Sequence, residues 1–197
     1  METFIFVALG YVCGSVPVGF LLASLTGVDI RRRGSGNIGA TNVARVVGWR
    51  EGVLTLLGDV LKGLLPVLLS MYFGLEPWAI FWVGLASFLG HLYPVFLKFK
   101  GGKGVATALG ILLAVAPAAT VILASVFALV AITSRAVSLA SLIAAVLAPL
   151  VLWFLWYPLA FVGLSLVLAL LIVVRHRANI QRLLAGIEPK FKINSQQ

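Results

Sequence analysis

Long apolar segments fill most of this chain and restrict the folds open to it. Seven of them can be marked in the sequence, at residues 4–25, 52–73, 78–97, 105–115, 118–133, 138–153 and 159–174. A helix needs about 20 apolar residues to cross the hydrocarbon core of a bilayer. Only 11% of the residues are charged, against about 25% in an average soluble domain. The sequence therefore predicts an all-α, polytopic membrane bundle that forms one domain over residues 1–197.

The positions of the basic residues predict how often the chain crosses. Pro117 interrupts the apolar stretch 105–133, and an internal proline breaks or kinks a helix. If this stretch forms two crossings, fourteen of the fifteen Lys and Arg residues fall on one side, and Lys62 lies inside a segment. A single crossing would move Arg135 and the basic tail to the opposite side. Because Lys and Arg favour cytoplasmic loops, we expect about seven transmembrane helices, an outside N-terminus and a cytoplasmic C-terminus.

The net charge of +9 does not indicate a nucleic-acid partner, because the basic residues lie in short loops beside apolar segments, where they orient the protein in the membrane. The first residues lack the basic region of a secretory signal peptide, so none is expected. Cys13 is the only cysteine, which excludes a disulfide framework and a cysteine-based metal site. We expect neither a metal nor a cofactor.

The first polar motif reads RRRGSGNIGATN, from Arg31 to Asn42, and Arg45 follows it. Glycines let backbone N–H groups converge on an anion, and the planar guanidinium of arginine fits phosphate oxygens. Residues 40–47 suit a short helix with Thr41 and Arg45 on one face and its N-terminus towards the glycines and a bound anion. A flexible turn that is basic only for topology would explain the arginines alone. The candidate phosphate-binding residues are Gly34, Ser35, Gly36, Asn37, Gly39, Thr41, Asn42 and Arg45.

The three glycines of this motif also match the G-x-G-x-x-G pattern of dinucleotide sites, and Asp59 lies twenty residues after Gly39. That pattern needs a preceding strand and a βαβ unit. Neither is predicted here, and Asp59 falls within an apolar membrane segment. We therefore exclude a dinucleotide site.

The second motif, KFKGGKGVAT, runs from Lys98 to Thr107. It is not a Walker A loop, because Gly104 follows the lysine where Ser or Thr would bind Mg²⁺. Gly101, Gly102 and Gly104 nevertheless form a glycine turn before a helix, and Lys103 adds a compact positive charge that suits a phosphate. A turn without a ligand is the alternative.

The third motif, RHRANIQRLLAGIE, runs from Arg175 to Glu188. Its helical periodicity predicts a segment that lies along the membrane surface, while His176 and Asn179 share another face. A basic amphipathic anchor is the alternative. The apolar stripe consists of Ile180, Leu183, Leu184 and Ile187.

Three ionisable residues fall within the membrane segments: Asp59, Lys62 and His91. Asp59 and Lys62 are three residues apart and can pair on one helix face. Because an unpaired charge at the centre of a membrane helix costs about 2.5–3.5 kcal/mol, we expect a pair that supports the site structurally. At about 9–10 Å depth, His91 can approach the same cytoplasmic cavity, either as a packing residue or as a ligand.

Together the three motifs resemble those of the PlsY family, the bacterial acyl-phosphate:glycerol-3-phosphate acyltransferases. The shared residues are GSGNIGATN from Gly34 with Arg45, GGKGVAT from Gly101, and HxxNIxRxxxGxE from His176. The resemblance extends over the whole chain. It implies a multi-pass acyltransferase of the bacterial inner membrane with its active site on the cytoplasmic side. The implied reaction transfers a fatty acyl group from acyl phosphate to the 1-hydroxyl of glycerol 3-phosphate, giving lysophosphatidic acid and phosphate in the first acylation of phospholipid synthesis.

The resemblance also implies roles for individual residues. Ser35 and Arg45 would hold and activate substrate phosphate, and Lys103 with its glycines would form the glycerol-3-phosphate site. His176 and Asn179 would complete the pocket, with Glu188 structural. Which loop holds which phosphate stays open. The implied partners are the two substrates, the bilayer and an upstream enzyme that produces acyl phosphate.

The base for the glycerol hydroxyl is either His176 or a phosphate oxygen of the substrate. We favour the substrate, because acyl phosphate has a good leaving group and positioning alone can contribute about 7–11 kcal/mol. The acyltransferase class that pairs His and Asp with four residues between them is excluded, because Phe96 and Gln181 stand at that spacing from the two histidines.

A transporter for an organic phosphate is the alternative function. Transporters commonly bind their substrate near the midplane between repeated halves, whereas this sequence has no internal repeat and collects its polar motifs on one side. A noncatalytic scaffold anchored by the basic tail would leave the first two motifs unexplained.

Overall fold

The computed structural model describes residues 2–191, and every regular element in that range is helical. The predicted all-α class is thereby confirmed. Lys192, one of the fourteen basic residues predicted to lie on the cytoplasmic side, is outside the described range. Single 3-10 turns occupy Ile30–Arg32 and Val95–Leu97. The α-helices of the described range are α1 (Glu2–Ser15), α2 (Val18–Leu25), α3 (Ala40–Val46), α4 (Trp49–Tyr72), α5 (Pro77–Leu92), α6 (Val105–Val115), α7 (Pro117–Ser134), α8 (Val137–Phe154), α9 (Leu159–Arg175) and α10 (Arg177–Leu184).

Each of the seven predicted apolar segments contains helix. Within the described residues, five segments are long and apolar enough to cross a membrane, and α9 with α10 makes a sixth if that pair, bent by 62°, counts as one span. α6 has 11 residues, about 17 Å of helix, against a hydrocarbon core of about 30 Å. The number of crossings and the side of each terminus stay predictions.

Pro117 separates α6 from α7 as its position in the sequence predicts. α6 ends at Val115, and Pro117 is the first residue of α7. Proline is favoured there, because the first helical residue needs no N–H for the helix and its φ is already helical. Only α6 of this pair is short, since α7 extends over 18 residues.

The contacts divide the chain into two compact units, one up to Ala116 and one from Pro117 onward. In the first unit α1 packs on α5, and α4 contacts α1, α2, α3, α5 and α6. In the second unit α8 packs between α7 and α9, and α10 contacts α9. α4 is therefore the central helix of the first unit, which carries the first two motifs.

Two glycines bring the backbones of α4 and α6 into direct contact. Gly63 of α4 faces the carbonyl oxygen of Thr107, and Gly110 of α6 faces that of Val60. A Cβ atom at either glycine would overlap the facing oxygen. Small residues allow such close approach between membrane helices, where packing rather than hydrophobicity drives association. The helix that follows the second motif is thus held tightly against α4.

The substitution Gly110→Ala tests this contact. Alanine favours a helix over glycine by about 0.5–1 kcal/mol, but overpacking costs about 1–3 kcal/mol, so we expect a net loss of stability. The measurement is the thermal unfolding midpoint of the purified protein in detergent. Leu113→Ala, on the exposed face of α6, is the control and should lower the midpoint less. An unchanged midpoint for Gly110→Ala would contradict the close approach.

Candidate active site

The first motif folds around the buried side chain of Asn42. Its Oδ1 accepts the N–H of Ser35 at 2.9 Å, and its Nδ2 donates to the carbonyl oxygens of Arg33 at 3.1 Å and Asn37 at 2.8 Å. Asn42 lies in the first turn of α3 and is 2% exposed. The amide therefore ties the loop to the helix, and its predicted contact with phosphate stays a prediction.

Glycines in this loop meet conformational demands. Gly34 and Gly36 have φ values of 58° and 70°, a region open to glycine but costly for other residues. A Cβ atom on Gly34 would also overlap Oδ1 of Asn42. The N–H of Gly36 donates to Arg33 and that of Gly39 donates to Oδ1 of Asn37. These two N–H groups are engaged within the loop, and the role of its glycines in binding an anion stays a prediction.

The predicted short helix is present as α3, which ends one residue earlier than expected, at Val46. Thr41 and Arg45 are exposed one turn apart on this helix, and Ser35 is exposed on the loop before it. Arg31 is held apart from them, because its guanidinium bonds Asp29 at 2.9 Å and stacks on the ring of Phe20. The side chains of Ser35, Thr41 and Arg45 are thus exposed where an anion could reach them.

The second motif turns back tightly against the end of α5. The N–H groups of Gly101 and Gly102 donate to the carbonyl oxygens of Leu92 and His91, each at 3.1 Å. A Cβ atom on Gly102 would overlap Nε2 of His91. These two glycines serve close packing, and their N–H groups, like those of the first loop, are engaged by the protein.

The lysine of the second motif stands between two buried glycines. Gly102 precedes Lys103, and Gly104, with φ 84°, leads directly into α6. A Cβ atom on Gly104 would overlap the ring of Phe88. Lys103 itself is half-buried. The glycines therefore fix the place from which this positive charge extends.

One apolar core lies beneath both loops. Leu97, from the turn that precedes the second motif, packs in the same buried cluster as residues of the first motif and its helix. The two loops are therefore neighbours within the first unit. The cluster consists of Ala23, Ile30, Ile38, Val43 and Leu97.

The predicted pair of Asp59 and Lys62 is confirmed, with Nζ 2.8 Å from Oδ1 and both side chains buried. Nζ also donates to the carbonyl oxygen of Val16 at 2.9 Å. His91 approaches the same carboxylate, with Nδ1 3.7 Å from Oδ1, and the same Nδ1 lies 3.1 Å from Oγ1 of Thr107. The pair and the histidine thus form one buried polar cluster, which Thr107 joins.

Thr107 was not among the predicted site residues, although it belongs to the second motif. Its partner His91 is sixteen residues away, and only the packing of α6 on α4 and α5 brings the two side chains together. The one available signal was a hydroxyl residue in the first turn of the helix after the glycines.

The third motif lies in the second unit, where the chain bends between α9 and α10 at His176. The ring is 3% exposed, and Nδ1 donates to the carbonyl oxygen of Ile172 at 2.8 Å. Because a carbonyl oxygen only accepts, Nδ1 carries the hydrogen and the neutral ring has its lone pair on Nε2. The group that orients Nδ1 of this histidine is a backbone carbonyl.

Glu188 organises the rest of the third motif. Its Oε1 accepts from Oγ of Ser138 at 2.7 Å and from Nδ2 of Asn179 at 2.6 Å, and Oε2 accepts from Nε of Arg182 at 2.7 Å. Burial alone would raise the pKa of the carboxyl, but these hydrogen bonds and the charge of Arg182 outweigh it and hold the pKa below its usual 4.5. The ionised carboxylate fixes which way the Asn179 amide faces.

Acid should weaken the Glu188 network. A folded-state pKa below the unfolded value means that the stabilisation is complete above about pH 4.5 and is lost as the pH falls through the folded pKa. We expect the hydrogen-exchange protection of residues 177–188 to fall with it. Glu188→Gln should show lower protection at neutral pH and little further acid dependence. An acid response equal to that of the wild type in this variant would contradict the assignment.

Asn42→Asp tests the organisation of the first loop. Aspartate keeps the acceptor for Ser35 but loses both donors and faces two carbonyl oxygens, so we expect a loss of about 1–3 kcal/mol and faster hydrogen exchange over residues 33–42. Ser24→Ala is the control, because that exposed hydroxyl bonds only the carbonyl oxygen of Phe20 in its own helix. Equal exchange in both variants would show that Asn42 does not hold the loop.

The chain is similar to known proteins over nearly its whole length. The sequence model of the glycerol-3-phosphate acyltransferase family matches residues 4–186. A glycerol-3-phosphate acyltransferase of Geobacter sulfurreducens is 50% identical over 98% of this chain and 99% of its own length. Another, from Aquifex aeolicus, is 46% identical over 97% of this chain and 100% of its own length.

Two solved structures have the same fold. Both are crystal structures of PlsY (YgiH), an integral membrane glycerol 3-phosphate acyltransferase. Its glycerol 3-phosphate form has a TM-score of 0.94 and 45% identity, and covers 98% of this chain and 96% of that one. Its lysophosphatidic acid form has a TM-score of 0.92 and 44% identity with the same coverage. The fold, the motifs and the similarity along the chain all agree, and this chain belongs to the glycerol-3-phosphate acyltransferase family.

Proposed function

We propose that this integral membrane acyltransferase transfers a fatty acyl group from acyl phosphate to the 1-hydroxyl of glycerol 3-phosphate. The observation that carries the proposal is the apolar core shared by the two loops. Because the core makes the loops neighbours, Arg45 and Lys103 supply cationic groups to one region of the first unit. Two adjacent cationic loops suit a reaction between two phosphate-bearing substrates, whose mutual repulsion must be overcome.

The comparisons support the acceptor and the product. The two solved structures of the similar PlsY protein are its glycerol 3-phosphate form and its lysophosphatidic acid form. Acyl phosphate as the donor rests on the motif resemblance and on chemistry. A mixed anhydride transfers its acyl group readily and leaves inorganic phosphate, so the protein needs no covalent acyl intermediate.

The reaction needs positioning more than nucleophilic catalysis. The glycerol oxygen forms a bond to the acyl carbon, the bond from that carbon to the phosphate oxygen breaks, and the hydroxyl proton leaves with the phosphate. We assign Ser35 and Arg45 to substrate phosphate and Lys103 to glycerol 3-phosphate. Their charge stabilises the phosphate groups, and fixed placement of two reactants can supply about 7–11 kcal/mol of the barrier.

The base is a phosphate oxygen of the substrate in this proposal. A histidine base is usually oriented and charge-stabilised by a carboxylate, whereas Nδ1 of His176 donates to the backbone carbonyl of Ile172. This contact supports the substrate as the base. The participation of His176 and Asn179 in the pocket, with Glu188 behind them, stays a prediction of the resemblance.

The membrane location follows from the same proposal. The chain is a multi-span membrane protein, and we propose that it lies in the bacterial inner membrane with the two loops on the cytoplasmic side, where loops rich in Lys and Arg face. The donor, acyl phosphate, carries a fatty acyl chain joined to phosphate. We expect an upstream enzyme to produce it.

A two-substrate assay tests the reaction. Purified protein in detergent should release phosphate and form lysophosphatidic acid only when acyl phosphate and glycerol 3-phosphate are both present. Omitting either substrate is the control. If no product forms while reconstituted vesicles accumulate glycerol 3-phosphate, the protein is a transporter and the proposal fails.

Ser35→Ala and Arg45→Ala test the first loop. Loss of a charge-assisted hydrogen bond to phosphate costs about 1.5–3 kcal/mol, so we expect the kcat/KM of Arg45→Ala to fall by about ten- to a hundredfold, with a smaller fall for Ser35→Ala. Unfolding midpoints should not change, because both side chains are exposed. Arg50→Ala, an exposed arginine outside the motif, is the matched control. Full activity in both loop variants would remove these residues from the site.

A further inference from the structure

We infer that His91 is a positioning residue for Lys103, and that it acts by holding both ends of the second loop. The inference rests on the proposed function, because it assumes that Lys103 binds glycerol 3-phosphate and that the buried polar cluster of His91 holds this lysine in place. His91 is 3% exposed, and the contacts that carry the inference come from its backbone and from its ring.

The backbone of His91 holds the near end of the loop. Its carbonyl oxygen accepts the N–H of Gly102 at 3.1 Å, beside the parallel bond from Gly101 to Leu92. The ring lies so close to Gly102 that a Cβ atom there would overlap Nε2. Gly102, which immediately precedes Lys103, is thus held against His91 by a hydrogen bond and by packing.

The ring of His91 holds the far end of the loop. Its Nδ1 lies 3.1 Å from Oγ1 of Thr107, which is fully buried in the first turn of α6. The carbonyl oxygen of Thr107 in turn packs on Gly63 of α4. Only residues 103–106 lie between the two anchored positions, so the place of Lys103 is set by the place of the histidine.

The ion pair of α4 holds the histidine from behind. Oδ1 of Asp59 is 3.7 Å from Nδ1 of His91 and 2.8 Å from Nζ of Lys62. Nζ also bonds the carbonyl oxygen of Val16, at the break between α1 and α2. The ring of His91 on α5 is therefore placed against both α4 and α6, and it can transmit their rigidity to the loop.

Rigidity at this position matters because Lys103 acts as a point charge. The attraction between this charge and the phosphate of glycerol 3-phosphate weakens as the distance between them grows. Thr107 is fully buried and His91 is 3% exposed, and both contact the segment that carries Lys103. We therefore expect their effect on the reaction to pass through the lysine and to alter the binding of one substrate and not the other.

Thr107→Val and Thr107→Ser form the test. Valine keeps the shape and removes the hydroxyl, and losing a buried hydrogen bond to His91 corresponds to roughly a tenfold change. We expect the KM for glycerol 3-phosphate to rise by about that factor in Thr107→Val. The KM for acyl phosphate and kcat should stay within about twofold of the wild type, which is below the effect of one such bond. Serine restores the hydroxyl and should restore the KM.

Thr55→Val is the matched control. Thr55 is fully buried on α4, and its hydroxyl bonds only the carbonyl oxygen of Glu51 in the same helix at 2.7 Å. The same chemical change there should leave the KM for glycerol 3-phosphate unchanged. Three results overturn the inference: no rise in Thr107→Val, an equal rise in Thr107→Ser or Thr55→Val, or a rise in the KM for acyl phosphate instead.

Two further measurements keep the test decisive. If Thr107→Val does not fold, Thr107→Ala removes the same hydroxyl from a smaller side chain, and the same selective rise in KM is expected. If the wild-type protein shows no turnover with both substrates, the proposed function fails. The contact between His91 and the second loop is then tested by hydrogen exchange. The amide of Gly102 should exchange faster in Thr107→Val than in Thr55→Val. Equal rates would show that the ring of His91 does not hold the second loop.

Discussion

A charged side chain in a bilayer must find a partner or water, and the pair of Asp59 and Lys62 meets this demand inside the first unit. An unpaired charge would cost several kcal/mol at that depth, so each residue holds the other in place. The pair in turn fixes its neighbours, because Lys62 bonds the carbonyl oxygen of Val16, between α1 and α2, and Asp59 faces His91 on α5. The packing of α4, and through it the arrangement of both loops, depends on keeping this pair closed.

The two loops are organised in the same way. Each loop packs around one buried polar side chain. Asn42 bonds the backbone of the first loop, and the ring of His91 contacts Thr107, just after the second loop. Glycine is required beside each because a Cβ atom would overlap that side chain, as at Gly34 and Gly102. In both loops several backbone N–H groups, among them those of Ser35, Gly36, Gly101 and Gly102, are engaged within the protein.

Local features of the site could be predicted from the sequence, and its long-range contacts could not. The helix at Ala40–Val46 and the pairing of Asp59 with Lys62 depend on residues a turn apart, so spacing was sufficient. α4 begins at Trp49, earlier than hydropathy indicated, because its first turn carries charged residues. Ser138 meets Glu188 across fifty residues of sequence. Such contacts depend on how helices pack, which periodicity does not encode.

The short helix α6 has a consequence for the surrounding lipid. If α6 crosses the bilayer as the sequence predicts, its apolar surface on the side of Leu109 and Leu113 is about 17 Å tall against a hydrocarbon layer of about 30 Å. A bilayer relieves such a mismatch by thinning locally or by allowing polar groups to descend. Either response, at the end of α6 next to Lys103, would bring water and lipid headgroups closer to that lysine. The thickness of the membrane, which depends on the acyl composition of its lipids, would then affect the surroundings of this lysine.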